Sequence, residues 1–164
     1  MLTTLEYLKD RYCEEQSRFD HFENKCTKLL TFVTILIGAI TAISGINKGV
    51  IFHPEDPANW VVLIAFLIGA FSIACAWGHS LLALRIGDCP VLPRSRLAAE
   101  YLAAVDAETH STYLYNCYVD TVEQLAKVID EKSKNLELAY QELAISAWGL
   151  AVAASLTIYM EIAK

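Results

Sequence analysis

The chain has 164 residues, 55% of them hydrophobic and 20% charged, with a positive mean hydropathy of +0.35. It is too apolar for an ordinary soluble domain, too charged to lie in a bilayer throughout, and too short for a large catalytic domain on a membrane anchor. Nineteen acids against thirteen bases leave a net charge of −6, which excludes nucleic acid as the main partner, because phosphate binding needs a concentrated basic surface.

Seven Gly and four Pro are few breakers for this length, so long helices are predicted. Residues 1–28 read as an amphipathic helix. Leu5, Leu8, Tyr12, Phe19, Phe22, Cys26 and Leu29 recur at alternating three- and four-residue steps, with Glu15 the one polar interruption. No Gly or Pro occurs before Gly38, so this helix runs on into the first of three uncharged stretches. Those stretches hold 19 residues between Lys28 and Lys48, 28 between Asp56 and Arg85, and 18 between Glu142 and Glu161. A hydrocarbon core roughly 30 Å thick takes about 20 helical residues. Transmembrane helices are therefore expected at 29–46, 60–84 and 143–161, with an outer loop at 47–59 and an outer tail at 162–164. The third stretch is Ala-rich and also fits a buried helix of a soluble bundle.

Gly87, Pro90 and Pro93 end the second span, and a helix restarts near Ser95 with Leu97 and Tyr101, extended by Val105, on its apolar face. A bend is expected around Asp106–Ser111. Beyond it Tyr115, Tyr118, Val122, Leu125, Ile129, Leu136, Ala139 and Leu143 repeat the helical period, with Lys132 out of pattern. This segment, 85–142, continues into the third span without a breaker. The predicted fold class is an all-α membrane protein: three transmembrane helices with a cytoplasmic helical bundle formed by long extensions of the first and third spans. At about 1.5 Å per residue, the two long helices would measure about 63 Å over residues 5–46 and about 75 Å over 112–161.

Eleven of the thirteen Lys and Arg residues lie before the first span or between the second and third, whereas the outer loop holds only Lys48 and the tail only Lys164. This places the N-terminus and the long middle segment in the cytoplasm and the C-terminus outside. The leader carries six acids against five bases, unlike the positive n-region of a signal peptide. The five cysteines are scattered on the cytoplasmic side or in the membrane, which reads as free thiols.

Along the first span Thr27, Thr31, Thr34, Gly38, Thr41 and Gly45 form one seam of small or hydroxyl-bearing residues. Thr31, Thr34, Gly38, Thr41 and Gly45 are candidates for a pore lining or for close helix packing. Ala70, Ala74 and Gly78 in the second span, with Ala65 and Gly69 beside them, and Ala147, Ala151 and Ser155 in the third, accompanied by Ser146, Gly149 and Ala153, are candidates for helix packing, within one chain or between subunits. Tyr12, Phe19, Phe22, Tyr118, Val122, Leu125 and Ile129 are the candidate assembly surface of the cytoplasmic helices, again packed within a chain or sealing subunits.

Catalytic signatures are missing: there is no Cys-x-x-Cys, glycine-rich phosphate loop, His-Glu-x-x-His or nucleophile elbow. Glu14, Glu15, Glu23, Asp106 and Glu108 read as a solvated helix face. His79, one turn after Cys75, reads as a structural histidine, and two ligands make no metal site. No enzyme activity, cofactor or metal is expected. A secondary transporter is disfavoured because no span carries a midplane charge.

The helix RYCEEQSRFDHFENKCTKLL leading into a span, the tight outer turn, and IDEKSKNLELAYQEL leading into the last span resemble small multi-pass membrane effectors of bacterial antiphage systems. The similar groups are SLATT-type effectors and the transmembrane effectors of cyclic-nucleotide signalling; a third span departs from the two-span SLATT core. The resemblance implies a homo-oligomer of the inner membrane that permeabilises or depolarises the bilayer when a cytoplasmic signal arrives, carried by a signalling nucleotide or a partner sensor protein. The competing expectation is a non-conducting membrane scaffold or accessory subunit of a larger complex.

Overall fold

The computed structural model describes residues 2–46, 52–85, 89–93 and 95–162. Lys48, Gly87 and Arg94, and the tail from Ala163, lie outside the described residues. Among those described, all regular structure is helical: α1 (Leu2–Ile46), α2 (Pro57–Arg85), α3 (Arg96–Ala104) and α4 (Ala107–Ile162). Three helices, α1, α2 and α4, are long and apolar enough to cross a membrane.

Local chemistry sets the boundaries. Pro57 opens α2 at the position where its missing N–H is harmless, and the Asp56 carbonyl accepts from Trp60 N at 3.2 Å. Ser95 caps α3, its hydroxyl accepting from Ala98 N at 3.1 Å. Asp106 caps α4: one carboxylate oxygen accepts from Glu108 N and Thr109 N at 3.2 Å each, the other from the Thr109 hydroxyl at 2.7 Å. Those Thr109 bonds hold the Asp106 carboxyl below its ordinary pKa. The break between α3 and α4 is thus confined to Val105 and Asp106, and Ser111 lies inside α4.

The chain forms two compact units, Met1–Lys25 with Arg85–Ser133, and Cys26–Leu84 with Lys134–Lys164. In the first, Phe19 of α1 packs with Leu125 and Ile129 of α4, and Tyr12, Phe22, Val128 and Cys89 close around them. Burying each large apolar side chain of this kind contributes about 1.5–3 kcal/mol. Helix α3 departs from its expected orientation. Ala98 is its buried residue, while Leu97 is 79% and Tyr101 45% exposed. Tyr101 stacks at a tilt on Tyr113 of α4 with centroids 5.3 Å apart, and Leu97 faces out.

In the second unit Cys26, Leu29 and Val33 of α1, Ile73, Ala76, Ser80 and Ala83 of α2, and Leu136, Ala139, Ser146 and Ala153 of α4 are buried. Helices α2 and α4 meet backbone to backbone. A Cβ on Gly149 would lie 3.0 Å from the Ala65 carbonyl oxygen and 3.2 Å from Gly69 N, and one on Gly69 would lie 2.9 Å from Leu150 Cγ. Trp77 Nε1 donates to the Thr34 hydroxyl at 3.2 Å, joining α2 to α1. The apolar windows of α1, α2 and α4 are only 17%, 39% and 11% buried, so their apolar surface points outward. For α4 this is the reverse of a helix buried inside a soluble bundle, where the apolar side chains would be covered.

The glycine crossing yields a graded prediction for unfolding midpoints of the full chain in detergent. Gly149→Ala, whose methyl meets main-chain atoms, should cost about 1–3 kcal/mol, and Gly69→Ala less, because part of its contact is the movable Leu150 side chain. Gly78→Ala, with nothing within 4 Å of its Cβ, should leave the midpoint unchanged or higher. Equal effects at all three positions would contradict this crossing.

Candidate functional site

The two stripe positions that break the apolar period are where the first unit holds its buried charges. Glu15 is 3% exposed, yet its oxygens accept from Arg18 Nη1 at 2.8 Å each and from Arg11 Nη2 at 3.3 Å. Its partners are one turn away on the same helix, so α1 satisfies this carboxylate by itself. Lys132 is fully buried. Its ammonium donates to Glu23 Oε1 at 3.3 Å and sits 4.3 Å from the centre of the Phe19 ring, a cation–π contact. The Glu23 side chain is 46% exposed, so a sealed cation leans on a half-solvated counter-ion and an aromatic face.

Cys89 packs on the same cluster. Burial pushes its thiol pKa up, the Asp20 and Glu23 carboxylates push the same way, and Lys132 opposes them. Tyr12, beside it, is also raised by burial and meets Tyr118 edge-on at 6.1 Å. A thiol held protonated is a poor nucleophile at neutral pH; the arrangement fastens α1 to α4. Of the expected assembly residues, Phe19, Leu125 and Ile129 form this core, Tyr12 and Phe22 line it, and Tyr118 and Val122 are half-buried.

An open groove of about 460 Å³ lies along α3, lined by Pro93, Leu97, Ala98, Tyr101 and Tyr113, with Ser95 and Glu100 at its edge. Ser95 caps α3 and Glu100 accepts from Arg96 at 2.7 Å. No lysine or arginine lines it among the described residues, and no group of three or more metal-ligating side chains occurs among them.

In the second unit Thr31, Thr34, Gly38, Thr41 and Gly45 are all exposed on α1. The hydroxyls of Thr31, Thr34 and Thr41 donate to the carbonyls of Thr27, Leu30 and Ile37 at 2.8–2.9 Å, and Thr34 also accepts from Trp77. No polar hydrogen on the seam is left without an acceptor. Ala74, Ala147, Ala151 and Ser155 are exposed and Ala70 and Gly78 half-buried. The contact between α2 and α4 instead runs through Gly69, Gly149, Ser146 and their neighbours, one or two positions away. On α2 the series Gly69, Ser72, Ala76, Ser80, Ala83 has the same three- and four-residue rhythm as Ala70, Ala74, Gly78. A helix apolar on every side gives periodicity nothing by which to choose between them.

His79 is brought to Glu142 rather than paired with Cys75: Nε2 lies 3.5 Å from Oε1, with the side chains 29% and 24% exposed. Its Nδ1 and the other Glu142 oxygen are sealed from solvent with no hydrogen-bond partner. This pair and Lys132–Glu23 escape sequence reasoning because their partners are distant in the chain. The only local sign is an ionisable residue set in an apolar stretch.

Removing Glu23 strands a buried ammonium, whereas removing Lys132 leaves a half-exposed carboxylate that water can reach. Glu23→Ala should therefore cost about 2 kcal/mol or more, below the roughly 3–5 kcal/mol of a wholly buried pair because Glu23 is half-exposed. Lys132→Met should cost less, measured as unfolding midpoints in detergent; the opposite order would contradict the assignment. With its thiol pKa raised by burial and neighbouring acids, Cys89 holds less thiolate near pH 8 than an unperturbed thiol. Maleimide should then label exposed Cys13 before Cys89 in the folded chain, and equal rates would remove that electrostatic account.

No model of a protein family, no curated protein and no solved structure matches this chain.

Proposed function

We propose that this chain is an integral protein of the bacterial inner membrane that assembles with copies of itself through the threonine–glycine seam of α1. The assembly opens a pore or disrupts the bilayer when a cytoplasmic signal arrives, as in antiphage defence. The observation that carries the reading is the contrast between two sets of glycines. Gly69 and Gly149 are spent on the close crossing inside the chain, whereas Gly38 and Gly45 on the exposed seam of α1, and Gly78 on α2, have nothing within 4 Å of a Cβ. Glycine in a helix interior costs about 1 kcal/mol relative to alanine, and lipid rewards it with nothing. A second helix approaching closely does, since small residues are the usual contact between helices in a bilayer. Back-bonded hydroxyls at Thr31 and Thr41 keep a lone pair able to accept from water, which suits the same seam to lining a pore.

The eleven-to-two distribution of Lys and Arg supports a cytoplasmic location for the unit built from Met1–Lys25 and Arg85–Ser133, with the C-terminus outside. Exposed Trp60, Trp148 and Tyr159 suit headgroup depth. The signal is carried by a signalling nucleotide or by a partner sensor protein. The competing reading, a non-conducting accessory subunit, takes the same exposed faces as docking surfaces for another protein.

Purified wild type should size and crosslink as a closed homo-oligomer in detergent and release dye from liposomes in the presence of its activator. Gly38→Leu should remain resistant to carbonate extraction yet lose both assembly and leakage. Unchanged leakage would take the seam out of the mechanism, and a monomeric wild type stabilised only by a second protein would establish the accessory subunit instead.

A further inference from the structure

Of the three tryptophans in the chain, one stands apart. Trp60 and Trp148 are 53% and 75% exposed near the ends of their spans, where the ring meets lipid and the N–H meets water or headgroups. Trp77 lies eight residues before Arg85 on α2, and Thr34 six residues after Lys28 on α1. At about 1.5 Å per residue, both lie about 9–12 Å inside their spans. An indole N–H at that depth in lipid has no water and needs an acceptor. Helical carbonyls are already taken by the backbone, and Nε1 turns to the Thr34 hydroxyl at 3.2 Å. That hydroxyl in turn donates to the Leu30 carbonyl at 2.8 Å, so two bonds that polarise each other run from α2 into the backbone of α1.

That bond falls on the seam through which copies are proposed to assemble. Thr34 sits between Thr31 and Gly38, all three exposed. The hydroxyls of Thr31 and Thr41 bond to carbonyls of their own helix, so Thr34 is where another helix of the same chain already reaches the seam. Helices in contact lie with axes about 8–10 Å apart, closest where the residues are small. An indole nitrogen 3.2 Å from the Thr34 hydroxyl takes up the space that a second α1 needs one turn before Gly38. The ring is nonetheless 39% exposed, and α2 leaves room around it. Ala74, one turn back, is small and exposed, and Gly78 has nothing within 4 Å of a Cβ. The polar bond is thus what aims the ring at the seam.

We propose that the Trp77–Thr34 hydrogen bond is a brake on self-assembly: it holds the indole of α2 over the middle of the α1 seam, and a second copy joins only where that indole is displaced. Displaced into lipid, the N–H loses its acceptor. The single chain is therefore favoured until a signal binds the assembled state more tightly than the single one. The bias from one interhelical hydrogen bond in a bilayer is modest, enough to hold the seam closed at rest and small enough for a signal to overcome. The inference rests on the seam being the assembly surface, as proposed above, and adds what keeps that surface covered. A purely structural Trp77 predicts the opposite sign. If the indole only fastened α2 to α1, losing its N–H would loosen the fold and weaken assembly.

The test is dye release from, and crosslinking within, liposomes of phosphatidylethanolamine and phosphatidylglycerol that hold the full chain, with no activator added. Trp77→Phe keeps an aromatic ring and loses the N–H. It should raise both the initial release and the crosslinked fraction about three- to tenfold over wild type, the range expected of one such bond. Thr34→Val, which removes the acceptor, should do the same, whereas Thr34→Ser should behave as wild type. Trp77→Phe combined with Thr34→Val should go no further than either alone, because both remove one shared interaction. Release and crosslinking by Trp77→Phe at or below the wild-type level overturn the brake. Should that variant fail to insert or fold, Thr34→Val against Thr34→Ser decides, and equal release from those two overturns it. Gly38→Leu added to Trp77→Phe separates the brake from the reading it rests on. The gained release should disappear; gained release that persists overturns the seam as the assembly surface. No gain in Trp77→Phe, with wild-type crosslinks abolished by Gly38→Leu, overturns the brake alone.

Discussion

Where a peptide group faces hydrocarbon it has no water to bond, and each unpaired one costs several kcal/mol, so a chain entering lipid must close its backbone bonds within the helix. The long unbroken runs of α1, α2 and α4 meet that requirement. Lipid also removes the usual reason for helices to associate, because exposed leucine and lipid tails are equally apolar. What remains is van der Waals contact, which is gained only at very short range. The meeting of Gly149 with the backbone of Ala65 and Gly69 follows from that constraint.

The buried Glu15 and Lys132 and the half-buried His79–Glu142 pair show three degrees of satisfaction. Glu15 is enclosed by arginines of its own helix and tells the fold nothing about its partners. Lys132 requires Glu23 and Phe19, so it specifies which face of α4 meets α1; leucine at that position would accept many registers. His79 and Glu142, 3.5 Å apart, leave one ring nitrogen and one carboxylate oxygen without partners.

Much of the fold is legible in the chain because helices obey local rules. The Leu5-to-Leu29 stripe, Pro57, Ser95 and Asp106 each act within a turn or two, and they delimit α1, α2, α3 and α4. The stripe from Tyr118 to Ala139 likewise marks the face that carries Leu125, Ile129, Leu136 and Ala139 into the interior. Legibility fails where the pattern is degenerate. In α2 every face is apolar, so Gly69 and Ala70 are equally good candidates for a contact. In α3 nine residues carry too short a stripe to decide whether Leu97 or Ala98 turns inward.

Sequence alone determined that the chain is helical, that three of its helices are apolar enough for a bilayer, and that glycine and hydroxyl residues line one side of the first. Composition and period suffice for these because the relevant bonds form between residues three or four apart. Tertiary structure decided which ridge of α2 meets α4, that Lys132 and Glu15 point inward although they are charged, and that His79 answers to Glu142. Those outcomes depend on the rotation of each helix about its own axis. Rotation is set by the sum of many short-range contacts with residues distant in the chain, and a one-dimensional pattern records only the spacing along each helix.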